Sequence, residues 1–159
     1  MSNDLTVKSQ SVGRALQRYQ SVVDDFDREM ARILDVNGTD LRCLELLITN
    51  STDEVTPRDI AAHLNLTAGS VTTMLDRLER VGYVTRSRHA SDRRKVLVNA
   101  TPRVTELAWS MMSPLLDEAT TDVISHFTVE QLDTIEQFVT RATEVQRRHV
   151  ELLRERPGP

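Results

Sequence analysis

Residues 67–101 read TAGSVTTMLDRLERVGYVTRSRHASDRRKVLVNAT. The first half has apolar residues spaced for one side of a helix, at about 100° per residue: Val71, Met74, Leu75 and Leu78. Thr67 is suited to cap the start of that helix, and Gly82 is suited to the left-handed residue that ends it. In the second half, apolar and polar side chains alternate and β-forming residues are frequent over 83–86 and 95–101, on either side of a polar loop. The segment therefore predicts a helix of about residues 67–81 followed by a β-hairpin.

A shorter helix is predicted just before this one. Thr56 and Pro57 form an N-cap followed by proline at the first helical position. The helix predicted over residues 57–64 is separated from the next by a turn at Asn65 and Leu66. Two short helices followed by a basic hairpin form a winged helix-turn-helix. In that arrangement one helix fits the major groove of DNA, and the hairpin loop reaches the backbone or the minor groove.

The charge of the chain is unevenly distributed. Its 159 residues contain 20 Lys and Arg against 24 Asp and Glu, for a net charge of -4. The segment from Arg77 to Arg103 carries eight basic and two acidic residues, so it is +6 and the remainder is -10. Such a concentration of positive charge in an acidic protein indicates that positive potential is presented in one place. From charge alone, a solvated charged hairpin is the alternative.

The predicted helix over residues 67–81 presents small and polar residues opposite its apolar side. The outward residues are Gly69, Thr72, Thr73, Asp76, Arg77 and Arg80. Ser70 borders this face at the helix N-terminus, where backbone N–H groups favour a phosphate. Short hydroxyl side chains allow the helix to approach a groove closely, so this face is predicted to contact DNA. An ordinary solvated helix face is the alternative.

Long amphipathic segments flank the centre. Apolar residues recur with helical spacing over 12–34 and 104–145. These stripes exceed what a centre of some sixty residues could cover, and monomers do not tolerate such exposed patches. A second copy of the chain is therefore expected to bury them. The predicted domains are an N-terminal dimerisation helix (1–38), a winged helix-turn-helix (39–101) and C-terminal dimerisation helices (102–159).

The element order is predicted as helix, helix, short strand, helix, helix, hairpin, helix, helix. Thr39 is expected to cap the second helix, and Val55 to form the short strand. Pro114 lies within the penultimate helix and is expected to kink or interrupt it. Thr128 is expected to cap the final helix. The fold class is therefore mainly α, with a small β-hairpin wing.

Two stretches in this sequence resemble the MarR family of winged-helix transcriptional regulators: LNLTAGSVTTMLDRLERVGYV at 64–84 and SDRRKVLV at 91–98. The helix order on both sides is similar as well. The resemblance implies a homodimer, joined through the first and the last two helices, that binds a pseudo-palindromic DNA operator. It also implies a repressor that is relieved by a small aromatic or apolar ligand.

The resemblance assigns roles to individual residues. It implies DNA contacts for eight of them: Thr67, Ser70, Thr72, Thr73, Arg77, Arg86, Arg88 and Arg94. Asp92 would orient Arg94, and Asp76 could anchor the base of the wing by a charge-assisted hydrogen bond. The sequence departs from the family pattern at Ala100, where leucine is usual, and at residues 102–104, where glycine is common. Both departures affect the join between the wing and the helix that follows.

An effector site is expected where the DNA-binding unit meets the dimerisation helices. The residues proposed to line it are Phe26, Met30, Trp109, Met111 and Met112. With arginines nearby, such a site would suit a small aromatic or apolar anion. A packed hinge with no pocket is the alternative.

The sequence indicates neither an enzyme nor a cofactor. It has no nucleophile elbow, phosphate-binding loop or metalloprotease motif, and its four histidines lack the spacing of metal ligands. It also has no apolar run long enough for a membrane span and no secretory signal, so a cytoplasmic location is expected. Two alternatives to a ligand-relieved DNA-binding regulator remain: a redox-responsive regulator acting through the single cysteine, Cys43, and a winged helix that binds proteins.

Overall fold

The computed structural model describes residues 3–51, 54–92 and 94–156, and the chain divides after Met111 into two compact units. The described residues are mainly helical, with one two-stranded antiparallel hairpin. The predicted fold class is therefore confirmed.

Two helices open the first unit: α1 (Asn3–Ile33) and α2 (Gly38–Thr49). Asn37 is the N-cap of α2, because its side-chain oxygen accepts the backbone N–H of Asp40 at 2.9 Å. The prediction that Thr39 caps this helix was wrong. Asparagine is as good a capping residue as threonine. Gly38 is the first residue of α2, so the helix begins one residue before Thr39.

The helix-turn-helix forms as the sequence predicts. Helix α3 (Pro57–Leu64) begins with a capping box between Thr56 and Asp59, and Asn65 ends it in the left-handed region with φ 54°. Helix α4 (Ala68–Arg80) is capped by Thr67, whose hydroxyl accepts the N–H of Ser70 at 3.2 Å. Gly82 follows α4 with φ 75°, a conformation that favours glycine.

The wing consists of β1 (Val84–Arg88) and β2 (Val96–Ala100), with Val84 opposite Ala100. The prediction of a short strand at Val55 was wrong. Its carbonyl accepts one backbone hydrogen bond, from Val98 N at 2.8 Å, and a single bond does not make a strand.

The core of the first unit gathers apolar side chains from every element of the helix-turn-helix and the wing. The fully buried residues include Leu34, Leu44, Ile60, Val71, Leu75, Leu78, Val84, Val98 and Val104. Because α4 contributes three of these residues, its opposite face is fixed toward solvent.

Helix α5 (Pro102–Glu118) continues past Pro114 without a break. The α-helical pattern changes only afterwards, to a π-turn at Ala119–Val123 and a 3₁₀ turn at Ile124–His126. An interruption at Pro114 is therefore not observed; proline removes only one main-chain donor there. Helix α6 (Val129–Arg154) begins at Thr128, which caps it as predicted.

None of the described helices has the length and apolar character needed to cross a membrane.

Candidate nucleic-acid interface

The exposed face of α4 carries short hydroxyl side chains. Thr72 and Thr73 are exposed, and their hydroxyls donate to the carbonyls of Ala68 and Gly69 at 3.0 and 3.1 Å. A hydroxyl has only one proton to donate, so in this arrangement each remains an acceptor. Such acceptors suit the amino groups that adenine and cytosine present in the major groove, and the threonine methyl groups suit thymine.

Thr67 and Ser70 lie together at the N-terminus of α4. Their hydroxyl oxygens are 2.9 Å apart and hydrogen-bonded, and both residues are exposed. The helix N-terminus carries partial positive charge from its unpaired N–H groups, so a phosphate oxygen is a suitable partner there.

Arg77 on α4 is held by an acidic residue of α2. Its Nε donates to Asp40 Oδ2 at 2.8 Å, and its Nη2 donates to Asp40 Oδ1 at 2.5 Å. Asp40 is 1% exposed, whereas the side chain of Arg77 is 43% exposed. These hydrogen bonds raise the pKa of Arg77 above its ordinary value. Asp40 could not be identified from the sequence, because nothing in the spacing links it to a residue 37 positions away.

Arg86 on β1 joins the wing to α4. Its Nη1 donates to Asp76 Oδ1 at 2.6 Å and to Glu79 Oε2 at 3.1 Å, and its Nη2 donates to the carbonyl of Thr72 at 3.2 Å. Its side chain is only 25% exposed. The sequence predicts a DNA contact for Arg86 and an anchor at the base of the wing for Asp76. In the structure these two residues bond to each other, so Arg86 is the residue that Asp76 holds. Glu79, one turn after Asp76 on the same face, was not identified from the sequence.

The loop of the wing is organised around His89. Its Nδ1 accepts the backbone N–H groups of Ser91 at 3.2 Å and Asp92 at 3.1 Å, so the ring proton is on Nε2. That nitrogen lies 2.6 Å from Glu54 Oε1, and Lys95 Nζ donates to Glu54 Oε2 at 2.6 Å. The hydrogen bonds from Lys95 and His89 lower the pKa of Glu54. Neither Glu54 nor the role of His89 was predicted.

Arg88 and Arg94 are exposed on the wing, and neither belongs to the ion pairs formed among the described residues. The carboxylate of Asp92 accepts the backbone N–H of Arg94 at 3.0 Å. Asp92 therefore contacts Arg94 through the main chain and leaves its guanidinium exposed. Among the wing cations that the structure describes, these two arginines are the most available to phosphates.

The join between the wing and α5 contains one of the departures noted above. Arg103 lies over the ring of Tyr83 at 5.5 Å from its centre, and its Nη1 donates to the carbonyl of Val81 at 3.1 Å. The hydroxyl of Tyr83 donates to the carbonyl of Leu34 at 3.1 Å. Arg103 thus stabilises this join by packing over an aromatic ring.

An open groove of about 860 Å³ lies between α1, α2 and α4 in the first unit. Ser70, Met74 and Arg77 line it from α4, and Asp27 and Glu45 line it from α1 and α2. The pKa values of Asp27 and Glu45 are raised, chiefly because both carboxyls are partly desolvated.

The five residues expected to line an effector site are not among those that line this groove. Met30 is buried, Phe26, Met111 and Met112 are half-buried, and Trp109 is exposed. Their role in effector binding remains a prediction.

Cys43 is fully buried within α2. Burial, and next the charge of Asp40, raise the pKa of its thiol to about 12. Because the thiolate is the reactive form, this cysteine is protonated and unreactive at neutral pH. The redox-responsive alternative is therefore disfavoured.

Comparison with known proteins identifies relatives over most of the chain. The MarR family model matches residues 36–96. The uncharacterized HTH-type transcriptional regulator YcgE of Bacillus subtilis (strain 168) is 31% identical over 130 residues, which cover 82% of this chain and 82% of that protein.

Among solved structures, MepR of S. aureus has a similar fold. A point mutant from a clinical isolate aligns with TM-score 0.69 at 20% identity, over 85% of this chain and 96% of that chain. A second mutant, bound to an oligodeoxyribonucleotide, aligns with TM-score 0.58 at 20% identity, over 85% and 97%. MepR bound to ethidium bromide aligns with TM-score 0.61 at 19% identity, over 84% and 95%.

Proposed function

Because this chain belongs to the MarR family of transcriptional regulators, we propose that it is a homodimeric repressor of a pseudo-palindromic DNA operator. The observation that carries the proposal is the exposed face of α4, with Thr72 and Thr73 pointing outward beside a wing that carries Arg88 and Arg94. Members of this family are transcriptional regulators and not enzymes, in agreement with the sequence analysis.

In the proposed complex, α4 lies in the major groove. Ser70 and Thr67 contact phosphate at its N-terminus, and the threonines that follow face the base edges. Arg88 and Arg94 contact the backbone or the minor groove from the wing. Arg86 has a different part, because its hydrogen bonds to Asp76 and Glu79 set the position of the wing. In a two-fold dimer, two such units would reach successive major grooves about one helical turn apart.

The exposed apolar residues of the two units support the proposed homodimer. In the first unit, Tyr19 and Val22 of α1 are 70% and 65% exposed. In the second, Phe138 and Val139 of α6 are exposed, and no residue described there is buried. Apolar surface of this extent marks a protein interface, and a second copy of the chain is the partner that a two-fold regulator needs.

We propose that a small aromatic or apolar ligand relieves repression. One solved structure is of a MepR mutant bound to an oligodeoxyribonucleotide, and another is of MepR bound to ethidium bromide, which supports a ligand-responsive regulator with this fold. Such a ligand must bind the DNA-free form better than the DNA-bound form, and a preference of about 1.4 kcal/mol would change operator affinity tenfold. A regulator of this kind acts on chromosomal DNA, so we propose a cytoplasmic location.

Selection from random-sequence duplex DNA with the purified full-length chain tests the proposal. We expect enrichment of one inverted repeat, and an affinity for it that falls steeply with salt, by about 0.9 in log K per log salt for each phosphate contact. A chain that enriches no sequence, and binds bulk DNA no better at low salt than at high salt, would contradict it. A winged helix that binds proteins instead of DNA would give that result.

Relief by a ligand is tested by titrating small aromatic compounds into the complex between the chain and the selected duplex. We expect an aromatic acid such as salicylate, or an aromatic cation such as ethidium, to release the DNA at millimolar concentration or below. Trp109 reports binding by fluorescence. If neither compound changes DNA affinity or fluorescence, ligand relief is contradicted while DNA binding stands.

A further inference from the structure

Asp40 is the least exposed charged residue that the structure describes, at 1%. Both of its carboxylate oxygens accept hydrogen bonds from one arginine, Arg77, through Nε and Nη2. This is a side-on, bidentate pair, which fixes the plane and direction of the guanidinium as well as its distance. The pair connects the first turn of α2 with the outward part of α4.

Asp40 occupies the position of a helix-capping acid but does not cap. It is the third residue of α2, where an acidic side chain often reaches back to the N-cap backbone N–H. Asp59 does this in α3, where its carboxylate accepts the backbone N–H of Thr56 at 2.9 Å. In α2 the carboxylate instead turns to Arg77. Local helix capping therefore does not account for the acid at this position.

We propose that Asp40 is a positioning residue for DNA recognition, one that holds Arg77 so that only its remaining N–H groups face outward from α4. Those groups are the two of Nη1 and the second of Nη2, and the side chain is 43% exposed. The inference rests on the proposed function, because it requires that α4 bind DNA. Asp40 itself touches no DNA and acts through Arg77.

The pair stays intact when DNA binds. Arg77 is the one cationic partner of Asp40 among the residues that the structure describes. A buried carboxylate left without its cation is strongly unfavourable, so Arg77 does not leave Asp40 for a phosphate. Two consequences follow. The donors of Arg77 keep a fixed direction, which favours one register on the duplex, and its charge is largely cancelled, which reduces its attraction for DNA of any sequence.

Arg86 is held differently on the same helix face. Its partners Asp76 and Glu79 are about half exposed, at 52% and 43%, so solvent screens them. Loss of one of those acids leaves the other in place. Asp40 has no such substitute among the described contacts of Arg77, so a change at Asp40 alone should release this arginine.

The test compares Asp40→Asn with the full-length parent on two duplexes: the sequence selected by the parent, and a scrambled duplex of the same composition. Asparagine keeps the size of the side chain and removes its charge. We expect binding to the selected duplex to weaken roughly tenfold, because a held arginine supplies a specific contact. Binding to the scrambled duplex should stay the same or tighten. The slope of log K against log salt there should steepen by up to about 0.9 per protomer, because the charge of Arg77 is uncovered.

Two further variants separate positioning from general destabilisation. Arg77→Lys keeps the charge but loses the fork, and should lose affinity for the selected duplex as Asp40→Asn does. Asp59→Asn removes the capping carboxylate of α3 and lowers stability without touching α4, so it should keep the parent ratio of the two affinities. Thermal melting shows what fraction of each variant is folded under the assay conditions.

Each contrary outcome has a definite meaning. Equal weakening of Asp40→Asn on both duplexes would show a purely structural pair and overturn the inference. Tighter binding to the selected duplex would show that Asp40 competes with DNA for Arg77, which also overturns it. If the parent itself does not discriminate between the duplexes, the proposed function fails and this inference fails with it.

Discussion

Arg94 is exposed on the wing, and its main-chain N–H is held by the carboxylate of Asp92. Arg94→Ala should therefore weaken binding to the selected duplex by about 1–3 kcal/mol, the range for a groove contact. Its thermal stability should not change, because an exposed guanidinium contributes little to the fold. Fluorescence anisotropy with labelled duplex measures the effect. An unchanged affinity for Arg94→Ala would remove this residue from the interface.

Cys43 lies in the core, where the pKa of its thiol is raised to about 12. We expect peroxide to leave DNA binding unchanged in the parent and in Cys43→Ser alike. Because the folded state holds the neutral thiol, the contribution of this group to stability is fully present below about pH 9, the ordinary pKa of a thiol, and is lost as the pH rises from there through the folded pKa of about 12. At neutral pH, Cys43 should be alkylated only in unfolded molecules, so the alkylated fraction should rise with urea in parallel with the unfolded fraction. Loss of DNA binding on peroxide treatment, in the parent but not in Cys43→Ser, would restore the redox alternative.

At the scale of elements, the wing is tied to the helix-turn-helix on two sides. Arg86 joins β1 to α4, while Glu54, just before α3, accepts hydrogen bonds from His89 and Lys95. Val98 adds a backbone hydrogen bond to Val55. The position of the wing therefore depends on acidic residues outside it.

Glu54→Gln should loosen the wing loop at neutral pH. The amide keeps the size of the side chain but loses its charge, so the bonds from His89 and Lys95 weaken. We expect faster hydrogen exchange at the backbone amides of Ser91 and Asp92, which bond to the His89 ring, while amides in α3 keep the parent rate. Glu136→Gln on α6 controls for the loss of one exposed charge. Parent-like exchange in the loop would show that Glu54 does not hold it.

The elements that could be predicted are those with a local sequence signature. The helix-turn-helix has a cap-and-proline start, a turn and an apolar stripe, and the hairpin has two alternating runs. The strand predicted at Val55 does not form, and an isolated β-branched residue cannot show whether a neighbouring strand pairs with it. The cap at Asn37 could not be predicted, since Thr39 is a capping residue as well and only the backbone geometry decides which of the two caps α2.

The charged partners in the candidate site could not be predicted for a different reason. Asp40 and Arg77 are 37 residues apart, and Glu54 and Lys95 are 41 apart. Tertiary packing alone brings such pairs together. The sequence showed how many cations the segment carries, but not which of them already have acidic partners.

At the scale of the whole molecule, the chain should be a dimer at every workable concentration. The apolar residues exposed on α1 and in the second unit require a partner surface. Light scattering should therefore give twice the chain mass of 18.0 kDa. The melting temperature should also rise with protein concentration, because dissociation accompanies unfolding. A mass equal to that of one chain, with a melting temperature independent of concentration, would contradict the dimer.

The pairing of cations with acids also bears on how such a regulator would find its site on a chromosome. At least three of the eight basic residues in the segment from Arg77 to Arg103 are neutralised: Arg77, Arg86 and Lys95. Fewer counterions are then released on ordinary DNA, so the molecule spends less time on the many sequences that compete with an operator. More of the cellular pool stays unbound and ready to occupy a vacant operator. A few copies per cell would then keep a promoter closed, and a modest change in their number would be enough to open it.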